Sequence, residues 1–457
     1  MEFFLTDKDT DIEKNIQKDP LCQESIWRYY AGKLYENINS VTNDIKGFII
    51  TSLWNHICTN IRSKYNNKGL ENLWEKTEKS SKYYVAYEMI IIYILIENNA
   101  NVSFIGKENG KKIYNKYKEN PIISIAEDAE ADQKSILVRQ EQLGYIGRYR
   151  SKVNNINDDE ILNLAFDSES LEKITNEFYR IFTVLYKDKR KREIKYKDKK
   201  NREIEYKNCF KNKDLKDRLI NGLKIKDSNK EKYLEILKIK DGKENGLNKI
   251  YKYICDNEKL DAKDIITSLS GLSDKDVDVD IKNKLKNILV VENFLVEINN
   301  LFYEILNCKK INNLINACDS NDSDDKEVNN SIEDIKKMTE KLKSIYEELK
   351  SNFKNKNEKI LICSSYKKTC EELDNIKFEK VENTEITVCN IKNIIYSIIE
   401  DHVNLQNKSH KKSWIEKDSN GNIKIKHKVE HKYNDRWEHD YYISTIKNIV
   451  GSMKEWN

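Results

Sequence analysis

Residues 24–65 read ESIWRYYAGKLYENINSVTNDIKGFIITSLWNHICTNIRSKY, and the spacing of their apolar side chains decides the fold class. Ile26, Tyr29, Tyr30 and Leu34, then Ile45, Phe48, Ile49, Leu53, Trp54, Ile57 and Ile61, recur at helical spacing, which gathers them on one face of a helix. Two helices joined near NINSVTND follow, with Thr42 or Asn43 capping the second.

The same period runs through most of the chain. Trp74 to Asn98 predicts a helix buried on most sides over its second half. Its most apolar run, YYVAYEMIIIYILI from Tyr83 to Ile96, is interrupted by Glu88 and too short to span a bilayer, so a core helix is expected and a membrane partner is not. Further helical runs are Ser168 to Tyr186, Leu215 to Asn316 (its last part a long run from Ile281), Ile332 to Phe353, Ile391 to Asn404, and about Arg436 to Lys454. A small mixed patch surrounds KILICSS and EITV. Two places alternate instead. Ile194/Tyr196 and Ile204/Tyr206, in the repeat REIKYKDKKN and REIEYKN, predict a hairpin over about 187–213. SWIEKDSNGNIKIKHKVEHKY predicts another over about 410–433, turning at Asn420-Gly421. The expected protein is mainly α and multidomain. Its expected divisions are an N-terminal helical domain (1–186), a hairpin plus helical middle domain (187–316), an acidic linker (317–331) and a C-terminal helical domain with a hairpin (332–457).

Composition narrows the function classes. There are 81 Lys and Arg against 77 Asp and Glu, a net charge of +4, so any nucleic-acid surface must be local. Nine cysteines occur without a CxxC pair, the nearest two being Cys363 and Cys370; this fits reduced thiols in a cytosol rather than a disulfide framework or zinc ribbon. The start, MEFFLTDKDTDIEK, lacks the pattern of a signal peptide, and a cytoplasmic protein is expected. There is no GxxxxGK[ST] and no strand followed by GxGxxG. The linker residues Asp319, Asn321, Ser323 and Asp325 echo a calcium loop, but Asp324 and Asn330 stand where glycine and glutamate are needed. Glu193/Lys195 and Glu205/Lys207 echo a nuclease pair without a placeable aspartate.

Two regions carry candidate chemistry. LVRQEQLGYIGRYRSKV, Leu137 to Val153, gathers Arg139, Arg148, Arg150 and Lys152 with Tyr145 and Tyr149 in a chain where arginine is scarce. Guanidinium groups pair with phosphate and tyrosine rings stack on bases, so this segment is the candidate nucleic-acid contact. The alternative is a turn that packs the tyrosines and pairs the arginines internally. Five of the six histidines (402, 410, 427, 431 and 439) lie in the last part of the chain. On a strand His427 and His431 share a face but stand about 13 Å apart, too far to hold one ion. An Asn420-Gly421 turn sets Trp414 opposite His427 and His410 opposite His431, with His439 or His402 as a third partner. His410, His431 and His439 are therefore the candidate catalytic or metal-binding set, for zinc or magnesium. The alternative is a polar–aromatic patch that seats the hairpin, with no cofactor.

LYENINSVTNDIKGFIITSLWNH, LGYIGRYRSKV, EDHVNLQNKSHKKSWI and WEHDYYISTIKNIV together resemble an uncharacterised prokaryotic family associated with anti-phage defence islands. His402, His410, Lys412, Trp414, His439 and Tyr442 match its closing pattern, while Ile443 stands where that pattern has arginine. The resemblance implies a subunit of a multi-protein defence system, with other subunits such as an ATPase or nuclease as partners, and no established chemistry. The expected function is a non-catalytic subunit that contacts DNA or partner proteins through Arg139 to Lys152 and the C-terminal hairpin. A metal-dependent nuclease with a ββα-like histidine site is the alternative, and a toxin-like effector released by a partner is a third class.

Overall fold

Helices dominate the chain because its apolar residues repeat with the helical period and only two prolines interrupt it. A computed structural model describes residues 19–65, 77–98, 105–116, 122–124, 144–195, 203–205, 213–308, 311–320, 325–353, 356–381, 384–388, 391–409, 413–417, 422–426, 437 and 439–454. In chain order the elements are α1 Glu24–Leu34, α2 Ile45–Tyr65, α3 Thr77–Glu97, α4 Lys107–Lys116, β1 Ile122–Ser124, α5 Tyr145–Val153, α6 Asp158–Ala165, α7 Ser168–Lys195 and β2 Glu203–Glu205. They continue with α8 Lys213–Leu223, α9 Asp227–Ile236, α10 Leu247–Asp256, α11 Ala262–Ser270, α12 Val279–Asn307, α13 Ile311–Ser320, α14 Lys326–Asn352, α15 Lys356–Ser365 and α16 Lys367–Asn375. Last come β3 Lys377–Val381, β4 Thr384–Val388, α17 Ile391–Lys408, β5 Ile415–Lys417, β6 Ile423–Ile425 and α18 Ile443–Lys454. The protein is mainly α, as its periodicity predicts.

The described chain divides into two units, each discontinuous in sequence. One takes residues 35–251 and 442–454; the other takes 19–34 and 252–441. The expected divisions after residues 186, 316 and 331 do not coincide with them. In the first unit α2 is central, packed by α5, α6, α7 and α18, and α3 packs on α4 and α8. In the second, α12 is central, packed by α1, α11, α14 and α17. Most of α12 is buried, and over residues 288–306 apolar side chains stand on more than one face of it.

Several expected elements take a different form. The hairpin expected over 187–213 does not form: α7 continues as helix to Lys195, and β2 pairs antiparallel with the distant β1, Ile123 opposite Ile204. Lysine, arginine and glutamate are good helix formers, and no glycine or proline stops α7 before that point. Tyr196 and Tyr206 lie outside the described residues. KILICSS is helical, in α15, while EITV forms β4, paired with β3. The expected linker is largely helix: α13 runs to Ser320, and α14 begins at Lys326 with Asp325 as its cap, accepting from the Glu327 N–H. Residues rich in Asp and Asn favour linkers and helix N-caps alike. The faint calcium-loop residues Asn321, Ser323 and Asp324 lie outside the described residues.

The cap of α2 is neither Thr42 nor Asn43 but Asp44, whose Oδ1 accepts from the Lys46 N–H at 2.9 Å; Thr42 instead closes a local loop with Asn39. The last helix starts at Ile443 rather than near Arg436. Tyr441 and Tyr442 hold positive φ angles, 48° and 66°, so a helix cannot run through them.

Candidate nucleic-acid helix and the histidine residues

Gly144 begins α5 without a side chain to cap it, and the missing acceptor comes from α3. Glu88, buried in the most apolar run of the sequence, accepts the Ile146 N–H at 2.9 Å, and the Tyr84 hydroxyl accepts the Gly147 N–H at 3.1 Å. A carboxylate at a helix N-terminus satisfies orphan donors and complements the helix dipole, which offsets the cost of burying Glu88.

The side chains of α5 divide by face. Tyr145, Ile146, Tyr149 and Val153 are buried, with both tyrosine rings at 0 % exposure. Tyr149 stands edge-on to Phe48 at 5.0 Å, and its hydroxyl accepts the Asp44 N–H at 3.0 Å. A Cβ at Gly47 would overlap the Tyr149 ring, so glycine is needed where this helix meets α2. Burial pushes the phenols of Tyr145 and Tyr149 well above their usual range. The tyrosines are therefore core residues and cannot stack on bases, which corrects their assignment as nucleic-acid contacts.

The charged residues of the segment are split. Lys152 donates to the Glu36 carbonyl at 2.7 Å, and half-burial lowers its pKa while Glu36 opposes the shift, so Lys152 also serves the fold. Arg148 is half-buried and Arg150 exposed. Two residues apart on a helix, they lie on opposite flanks of the exposed strip formed by Gly147 and Ser151. Among the described residues neither guanidinium has a carboxylate partner. Arg139 lies outside the described residues.

The histidines are dispersed. His402, in α17, is fully buried; its Nδ1 donates to the Pro20 carbonyl at 2.8 Å, and its Nε2 accepts the Trp414 N–H at 3.1 Å. Its ring packs against Phe302 at 4.8 Å. Burial lowers its pKa from 6.5 to about 4, so both nitrogens are occupied in a neutral ring with no free lone pair for a metal. Next to it, Asp401 accepts from the N–H groups of Lys368 and Thr369 and from the Thr369 hydroxyl, capping α16 from another helix.

His439 precedes α18 instead of starting it. Its Nδ1 is 3.2 Å from both carboxylate oxygens of Glu292, and its ring stacks on Trp27 at 5.3 Å. The Tyr441 hydroxyl donates to the same carboxylate at 2.6 Å, and burial followed by that carboxylate raises its pKa. Glu292 thus holds the Nδ1–H form of His439 and anchors a tyrosine whose left-handed backbone costs about 1–3 kcal/mol. Glu292 and Glu88 share one signal in the sequence: a carboxylate inside an apolar helical run, a signal that the buried Glu297 shows as well.

His410, His427 and His431 lie outside the described residues. The register beside them departs from the one that sets His410 opposite His431. Ile415 pairs with Ile425 and Lys417 with Ile423, leaving residues 418–422 to connect the strands. An odd connection shifts pairing by one residue, so Trp414 aligns with Lys426, whose N–H donates to its carbonyl at 2.8 Å, and not with His427. Among the described residues no group of three His, Cys, Asp or Glu could hold a metal ion, and no helix is long and apolar enough to cross a membrane. No family model, no curated protein and no solved structure matches this chain.

Proposed function

We propose that the protein is a non-catalytic subunit of a prokaryotic anti-phage assembly that contacts DNA through α5, alongside other subunits such as an ATPase or nuclease. One observation carries the DNA contact: Arg148 and Arg150 flank an exposed strip of small residues on a helix locked from beneath by Tyr145 and Tyr149. A fixed helix presents two guanidinium groups at little cost in ordering, and Gly147 and Ser151 between them leave room for a phosphate backbone. The place in a defence assembly rests on the resemblance of the terminal motifs. His402, Trp414, His439 and Tyr442 of those motifs are spent on internal packing, as suits a structural subunit more than an active site.

The test is DNA binding to a duplex over a range of salt concentrations, for the unaltered protein and for Arg148→Ala with Arg150→Ala. Each phosphate neutralised contributes about 0.9 to the slope of log affinity against log salt, so losing two contacts lowers it by about 1.8. An unchanged slope removes this surface from the reading.

A further inference from the structure

Cys363 and Cys370 are the closest cysteines in sequence, and the fold brings their side chains together. Cys363 lies in the last turns of α15 and Cys370 in the second turn of α16. Between them the chain bends at Tyr366, whose φ of −114° and ψ of 52° leave the helical path. The corner stays tight: the Tyr366 N–H donates to the Ile362 carbonyl and the Cys370 N–H to the Tyr366 carbonyl, both at 2.9 Å. It sets the two thiols close enough to interact, beside the phenol of Tyr346. The Tyr346 oxygen is 3.9 Å from Cys363 Sγ and 3.2 Å from Asp374 Oδ2. Neither cysteine is in a disulfide; Cys363 is half-exposed and Cys370 buried.

We infer that Cys363 and Cys370 are a redox-active dithiol that closes to a disulfide by exchange with a low-molecular-weight disulfide. Access sets the order. The Cys363 thiolate attacks one sulfur of the small disulfide, forming a mixed disulfide and releasing one small thiolate, which takes up the proton Cys363 lost. Cys370 then gives up its proton and attacks Cys363 Sγ; the mixed disulfide breaks and the second small thiolate leaves with that proton. Two electrons pass from the protein dithiol to the small disulfide, which is reduced to two thiols. The Cys363 thiol, and then burial, push the Cys370 thiol well above its usual pKa, so Cys370 is the resolving group and not the attacking one.

The full-length protein is exchanged with oxidised glutathione under native conditions, its remaining thiols are alkylated, and it is digested with trypsin without reduction. Lys367 and Lys368 lie between the two cysteines, so the new bond appears as a linked pair of peptides. The expected product carries that link and no retained glutathione, while Cys370→Ser stops with glutathione on Cys363. Glutathione retained on Cys363 of the unaltered protein, or both cysteines alkylated after exchange, overturns the inference. Should the variant fail to fold, phenylarsine oxide on the unaltered protein decides, because it bridges only adjacent thiols. Protection of Cys363 and Cys370 together is expected, and alkylation of both in its presence counts against the pair.

Discussion

Acidification acts on the fold through His402. An imidazolium carries two N–H donors and no acceptor, so protonation sets a donor against the Trp414 N–H that Nε2 now accepts at 3.1 Å. The ring is fully buried and has no other place to put that charge. Its pKa therefore falls from 6.5 to about 4, mainly through burial, with the Pro20 carbonyl pulling the other way. The unfolded chain takes up this proton near its ordinary pKa and the folded chain resists. The contribution of His402 is complete above about pH 6.5 and is lost as pH falls through about 4. The gap corresponds to about 3 kcal/mol at its limit. The assay is urea unfolding, followed by tryptophan fluorescence, between about pH 7 and pH 4 for the unaltered protein and for His402→Gln, which does not titrate there. The stability advantage of the unaltered protein should shrink by about 3 kcal/mol over that range. Parallel losses in the two proteins would refute the assignment of His402 as a neutral, doubly bonded core residue.

Gly47→Ala places a methyl group against the buried Tyr149 ring and should cost about 1–3 kcal/mol, read as a lowered thermal midpoint. Pairing it with Tyr149→Ala should cost less than the sum of the two single changes, since the overlap is then gone. Asp401→Ala removes the acceptor for three donors in the first turn of α16 and leaves the buried Thr369 N–H unpartnered. It should cost about 1–3 kcal/mol and speed hydrogen exchange across Lys367–Asn375; unchanged exchange there would deny Asp401 its capping role.

The sequence by itself determined what depends on neighbours along the chain. The period of Ile26 to Ile61 gave α1 and α2, and Tyr83–Ile96 gave a core helix, because a helix must bury a stripe of its own residues whatever it packs against. Alternating Ile194 and Tyr196 suggested a strand, yet α7 simply continued through Ile194, since a charged run of good helix formers extends a helix already begun. Tertiary structure alone decided which distant group completes each buried polar atom. Glu88 caps α5, Asp401 caps α16, Glu292 holds His439 and Tyr441, and Pro20 with Trp414 closes both sides of His402. Those choices follow from which helices meet in space, and no local pattern encodes them. The tyrosines of LGYIGRYRSKV show the difference: their residue types allow stacking on bases, and only the packing of α5 on α2 turned them inward and left Arg148 and Arg150 outside.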